Sequence, residues 1–189
     1  KKVPAERLKL LRESTNPQAQ FVWAILRDSF HYCAVHLGEV ADSARDIDLA
    51  MRWGFGTKQG PFEFWQQAGW KQVAQWIKED IDAGKTLSSA PLPAWVFDGR
   101  EGVHSAQGSW STSQGKDLPK STLPVYSRQA FPESVGAATD PLKSGTEEFK
   151  NEEIRVWSAD GDVLIASITA KLHLISPAVT EGLVQAVEI

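Results

Sequence analysis

Apolar residues recur at steps of three and four from about residue 4 to residue 84, the spacing of one helical face. Pro4 opens a short helix through Leu8 and Leu11. Asn16-Pro17 starts a long one, with Asn16 as cap and Pro17 in the first turn. Trp23, Leu26, Phe30, Ala34 and Leu37 mark its main face. Phe21, Val22 and Ile25 make its first part apolar on other faces too, as expected of a central helix. Asp46 can cap the next helix, which carries Leu49, Ala50 and Trp53. Gly54 and Gly56 read as its stop, with Gly54 expected in the left-handed conformation that a Cβ disfavours. Gly60-Pro61 restarts a helix that ends near Gly69, because proline suits the first helical position. Val73, Ile77 and Ile81 lie on a last helix, which Gly84 terminates.

Residues 86 to 146 have another character. They hold six of the ten prolines, six of the fourteen glycines and ten serines, a composition that looks like neither a packed domain nor a pure linker. Trp95-Val96-Phe97 and Val125-Tyr126 read as short strands in an irregular connector, parts of which are expected to lie along a neighbouring surface. Beyond it, Ile154 and Val156 alternate with Arg155 and Trp157. Asp160-Gly161 supplies a turn, and Val163 to Ile168 is the return strand of a hairpin. Ser176-Pro177 then starts a helix through Val179, Leu183 and Val187. The expected fold is a mainly α-helical domain, then an irregular connector with short strands, then a β-hairpin plus helix. The boundaries are 1–85, 86–148 and 149–189. A hairpin with one helix is less than a domain, so the last part reads as the opening of one.

The chain has 189 residues and a net charge of -4, which gives no general attraction to nucleic acid or an anionic membrane. No apolar run approaches a membrane span of ~18 residues. Cys33 is the only cysteine, which excludes an intramolecular disulfide and a cysteine metal site and fits a reducing cytoplasm. Eight tryptophans against two tyrosines imply either a tryptophan-rich core or large surfaces buried against neighbours. The chain starts at Lys1 without a methionine and stops inside an apolar helical pattern, as expected of a central piece of a longer protein.

Candidate chemistry is sparse. Gly54, Gly56 and Gly60 fail the dinucleotide fingerprint, because the third glycine is one residue late and the motif follows a helix rather than a strand. His31 and His36 are five apart and fall on different helix faces, unlike the pair of a zinc helix. His104 has no carboxylate near it in sequence beyond Glu101. Asp46 and Asp48 fall at a helix start, where acidic residues suit the dipole. No catalytic, cofactor or metal site assembles from these residues.

The motif from Asp46 to Gly56, followed by Gly60-Pro61-Phe62-Glu63, resembles the C-terminal helical domain of 3-hydroxyacyl-CoA dehydrogenases, a likeness that runs from residue 14 to about 85. Phe149-Lys150-Asn151-Glu152, the Asp160 to Leu164 hairpin and Lys171 to Ser176 resemble the entry of an enoyl-CoA hydratase (crotonase) domain. This order resembles the fused β-oxidation enzymes with dehydrogenase first and hydratase last. The resemblance implies a parent that oxidises 3-hydroxyacyl-CoA with NAD. An NAD-binding Rossmann domain and a first helical copy would lie upstream, and the rest of the crotonase domain downstream. It places the catalytic residues of both activities outside these residues. NAD and the CoA thioester are then cofactor and substrate of the parent, and Lys171 and His173 are the expected CoA contacts here. The rival readings are a non-catalytic helical interaction module and a free-standing enzyme with an unrecognised site. Trp23, Trp53, Phe55, Phe62, Phe64, Trp65, Trp70 and Trp76 are more aromatic surface than ~80 residues easily bury. An apolar patch, and a two-fold homodimer of the isolated chain through it, are expected.

Overall fold

The computed structural model describes residues 3–128, 135, 145–158 and 161–189. They divide into two compact units, Lys1–Ala137 and Ala138–Ile189. The fold is mainly helical, followed by an irregular strand-bearing stretch and then a small sheet with a helix.

The first unit begins with five helices: α1 (Pro4–Glu13), α2 (Pro17–Val40), α3 (Ala44–Phe55), α4 (Pro61–Gln67) and α5 (Trp70–Asp82). The Asn16 side chain caps α2 by accepting the Gln18 N–H at 2.8 Å. Trp23, Phe30, Ala34 and Leu37 of α2 enter a core shared with Phe62, Trp65, Trp70, Val73 and Ile77. Buried polar groups tie α2 to α5. Asp80 accepts the Trp23 indole N–H at 2.8 Å and an Arg27 N–H at 3.2 Å, and Arg27 also donates to the Lys85 carbonyl at 2.6 Å. Removing either partner would strand a charge in the core.

The connector is part of this core. Leu92, Val96 and Val103 are buried in it. Trp95-Val96-Phe97 is a single 3-10 turn, Ala94–Phe97, rather than a strand. Pro93 ahead of it and the Trp70 indole, which donates to the Val96 carbonyl at 3.0 Å, favour the turn. Val125-Tyr126 likewise lies in a helical turn, α6 (Pro124–Ser127), opened by Pro124. Between them run three short antiparallel strands, β1 (His104–Ser105), β2 (Gly108–Ser111) and β3 (Lys116–Leu118), in the order β1-β2-β3. A ladder of rings joins connector and helices. Phe30 stacks on Trp65 at 5.7 Å and Trp65 on Trp70 at 4.1 Å; Trp95 follows at 6.0 Å and Trp110 at 6.2 Å. Such pairs add about 0.5–1.5 kcal/mol each beyond their burial.

The second unit is a three-stranded antiparallel sheet, β4 (Thr146–Lys150), β5 (Ile154–Ser158) and β6 (Leu164–Ile168), with α7 (Pro177–Glu188). The hairpin pairs Ile154 with Ile168 and Ser158 with Leu164. Gly161 of its turn has φ of 92°, and Asp160 lies outside the described residues. β4 was not legible as a strand. It makes β5 the central strand, so β5 is buried along its whole length, Arg155 and Trp157 included, rather than on alternate positions. Asn151 organises the β4–β5 turn: its side-chain oxygen accepts the Glu153 and Ile154 N–H groups at 2.9 Å, and its amide donates to Ala178 of α7. Ser176 caps α7. Val179 is buried against Ile154, whereas Leu183 and Val187 are exposed.

Three other expectations are corrected. Gly54 is an interior helical residue; the left-handed stop is Gly56, with φ of 66°. The helix simply runs two residues further, because Phe55 tolerates the last helical turn. The aromatic patch does not span residues 53 to 76, since Phe62, Trp65 and Trp70 are interior and only Trp53 and Phe55 are largely exposed. Phe21, Val22 and Ile25 are exposed too, so α2 is covered on one side only.

A Cβ at Gly54 would meet no atom within 4 Å. Gly54→Ala should therefore stabilise the unit by roughly 0.5–1 kcal/mol, and Gly56→Ala should cost about 1 kcal/mol or somewhat more. Urea unfolding of both variants checks this, and equal signs would contradict it.

Candidate functional site

The Asp46 to Glu63 motif folds into a corner in which α3 and α4 satisfy each other's helix ends. Asp46, three residues after Ser43, accepts the Ser43 N–H at 2.9 Å and hydroxyl at 2.8 Å, so Ser43 is the cap and Asp46 its partner. Glu63 does the same for α4, accepting the Gly60 N–H at 2.8 Å, and pairs with Arg52 at 3.5 Å. Asp48 crosses between the helices. Its carboxylate is fully buried and accepts the N–H groups of Phe62 and Glu63, both at 2.9 Å. A Cβ at Gly60 would lie 2.2 Å from the Asp48 carboxylate, so only glycine admits this approach. Pro61 is the first residue of α4, where its missing N–H is not needed.

The buried carboxylate has a third partner from far along the chain. Asp48 Oδ2 lies 2.7 Å from His104 Nε2, and His104 Nδ1 lies 2.9 Å from Ser109 Oγ. A neutral ring serves both when Nε2–H donates to Asp48 and Nδ1 accepts the Ser109 hydroxyl. Burial pushes the Asp48 carboxyl up, and the hydrogen bonds from His104 and the Phe62 N–H pull it back only in part. The Asp–His–Ser order has the form of a nucleophile relay. Here, however, both oxygens of Asp48 already serve as the cap of α4, and all three residues are buried. The chemistry of the arrangement is therefore to lock β1 and β2 onto the helical corner. Gln66 reinforces the lock by accepting the Val103 and His104 N–H groups and donating to the His104 carbonyl.

A groove of about 620 Å³ lies on the outer face of α2. Phe21, Ile25 and Tyr32 line it, with Met51, Pro61 and Leu87. Asp28, the one carboxylate on it among the described residues, is held by Arg27 at 3.0 Å. Cys33 also lines the groove, and burial, helped by the charge of Asp48, pushes its thiol up to about 12.

In the second unit, Lys171 and His173 sit in one 3-10 turn, Lys171–His173, after β6. Leu172 and His173 both have positive φ, 61° and 54°. His173 Nδ1 lies 2.9 Å from the Ile168 carbonyl, which steadies a conformation that non-glycine residues disfavour. Lys171 and Leu172 are exposed.

The motif residues Asp46, Gly56, Gly60 and Pro61 thus meet at one corner, while Lys171 and His173 belong to the other unit. The pairing of Asp48 with His104 is not legible in the sequence, because 56 residues separate them. One signal was available: Asp48 is four residues from Ala44 on the face that the helix buries, where a carboxylate demands a partner. Among the described residues no group of three His, Cys, Asp or Glu could hold a metal, and no helix is long and apolar enough to cross a membrane.

Comparison with known proteins gives one relevant similarity. Over 89 residues the chain is 39% identical to a probable 3-hydroxyacyl-CoA dehydrogenase of Bacillus subtilis (strain 168). The matched stretch covers 41% of this chain and 11% of that protein. No family model and no solved structure matches.

Asp48→Ala strands two N–H groups and an imidazole, so it should cost about 3 kcal/mol or more, with a coupling to His104→Ala of roughly 1–3 kcal/mol in a double-mutant cycle. Additive costs would remove the lock. Cys33 is raised in the folded state only, so the unfolded chain ionises first and stability should fall as pH rises from about 8.5 towards about 12. Cys33→Ser should lessen that alkaline loss in thermal unfolding curves, and an unchanged slope would refute it.

Proposed function

We propose that this chain is an architectural piece of a longer 3-hydroxyacyl-CoA dehydrogenase, fused to an enoyl-CoA hydratase. The similarity to the Bacillus subtilis protein supports a related dehydrogenase function. The observation that carries the architectural role is the uncovered apolar groove on α2. A long helix apolar on two opposite faces is suited to the middle of a larger assembly. In this reading one face of α2 holds the helical unit together, and the other receives the first helical copy or the Rossmann domain of the longer protein. NAD and the catalytic residues of both reactions belong to those other domains. A second copy of the chain is the substitute partner when the chain is alone.

The second unit is then the entry of the crotonase-like domain. Lys171 would meet the CoA thioester there, beside the left-handed backbone at Leu172 and His173. Strained backbone of this kind concentrates where ligands are held.

The isolated chain should bind no NADH by calorimetry and reduce no acetoacetyl-CoA. Micromolar NADH affinity or clear turnover would overturn the reading. It should also self-associate at micromolar concentration in sedimentation. Ile25→Glu with Tyr32→Glu should return it to a monomer without lowering Tm. A wild-type monomer would remove the interface role of α2. In the longer protein, Lys171→Ala should raise the KM for an enoyl-CoA severalfold and leave dehydrogenase activity unchanged. An unaltered KM would make Lys171 a plain surface residue.

A further inference from the structure

On the first unit, away from the α2 groove, the β1–β2 hairpin, the end of β3, Arg45 of α3 and Val135 line a cleft of about 250 Å³. Its charged members are Arg45 and Lys120, and Gln107 stands on the hairpin turn. Neither cation makes a hydrogen bond or ion pair among the described residues.

Arg45 is unusual on electrostatic grounds. It is half-buried at the second position of α3, where the helix dipole opposes a cation. Nothing in the folding of α3 calls for it, since Asp46 and Ser43 already complete the cap. A residue that breaks a local rule without a compensating contact points to a ligand. The nearby carboxylates do not supply that contact. Asp46 is taken by Ser43, and Asp117 accepts the Ser105 hydroxyl at 2.7 Å.

The walls are fixed rather than adaptable. Ser109 on the floor is held by His104, which Asp48 holds in turn. Gly108, with φ of 146°, brings the hairpin so close that a Cβ would lie 2.0 Å from the Leu118 carbonyl. Leu118 and Pro119 give one side an apolar wall.

We propose that this cleft binds the phosphate monoester group of a small molecule. The Arg45 guanidinium presents its planar fork to two phosphate oxygens, and the Lys120 ammonium meets the remaining negative charge. The Gln107 amide adds a donor at the rim, and the organic substituent lies against Leu118 and Pro119. This inference stands independently of the dehydrogenase reading.

The test titrates inorganic phosphate and phenyl phosphate into the full chain at constant ionic strength, followed by amide NMR shifts. The expected shifts lie at Arg45, the Ala106 to Ser109 turn and Lys120, with phenyl phosphate binding at least about threefold more tightly because it uses the apolar wall. Arg45→Gln should weaken both ligands roughly tenfold and Lys120→Gln severalfold, whereas Lys58→Gln, outside the cleft, should leave them unchanged. Arg45→Glu separates binding from folding. An acidic residue suits the first turn of α3, so Tm should hold or rise while binding disappears. Equal titrations of wild type and Arg45→Gln, shifts elsewhere, or the same response to chloride would overturn the proposal.

Discussion

The helical unit depends on one buried carboxylate. Asp48 is out of water, so every lone pair it presents must be met from within the protein. It is met by the first turn of α4 and by the imidazole of His104. That single requirement fixes the angle between α3 and α4, forces glycine at position 60, and fastens a hairpin from the connector to the helices. Remove the carboxylate and three separate segments lose a common anchor. The Gln66 bonds to Val103 and His104 run beside it, so the hairpin is held by two polar attachments rather than by apolar packing alone.

Much of the helical part was legible because its signals are local. Asn16-Pro17 and Gly60-Pro61 are helix starts whose chemistry lies within a few residues, and each marks the start of a helix in the structure. The stop after α3 was legible as a region but not as a residue. Two glycines offered themselves, and the choice between Gly54 and Gly56 rests on where helical hydrogen bonding gives out. The connector departs from its strand-like pattern where tertiary partners override local preference. Trp95-Val96-Phe97 has strand-like residues, yet the Trp70 indole holds its carbonyl in a turn. The Asp48–His104 pair was illegible for a plainer reason, since no local pattern links residues so far apart in sequence.

The two faces of α2 pose a physical problem that the chain by itself leaves unsolved. One face lies in a dense core of rings, and the other carries Phe21, Ile25 and Tyr32 toward solvent. Apolar side chains in a concave groove lose more by staying wet than the same residues scattered on a convex surface. The proposed partner domain relieves that exposure. The cleft beside Arg45 poses the complementary problem, with cations that have no partner among the described residues instead of wet apolar surface, and it is built on a short hairpin.

The ring ladder from Phe30 through Trp65, Trp70 and Trp95 to Trp110 has an optical consequence. Indoles a few ångströms apart exchange excitation faster than they emit. Light absorbed anywhere along the ladder is shared before it leaves as fluorescence, so the emission belongs to the stack rather than to any one tryptophan. Trp110 sits on the hairpin and Trp65 on α4, at opposite ends of the indole series. Lifting the hairpin would cut the series between Trp95 and Trp110. The spectrum of the unmodified protein therefore carries a built-in gauge of whether the connector is seated on its helices.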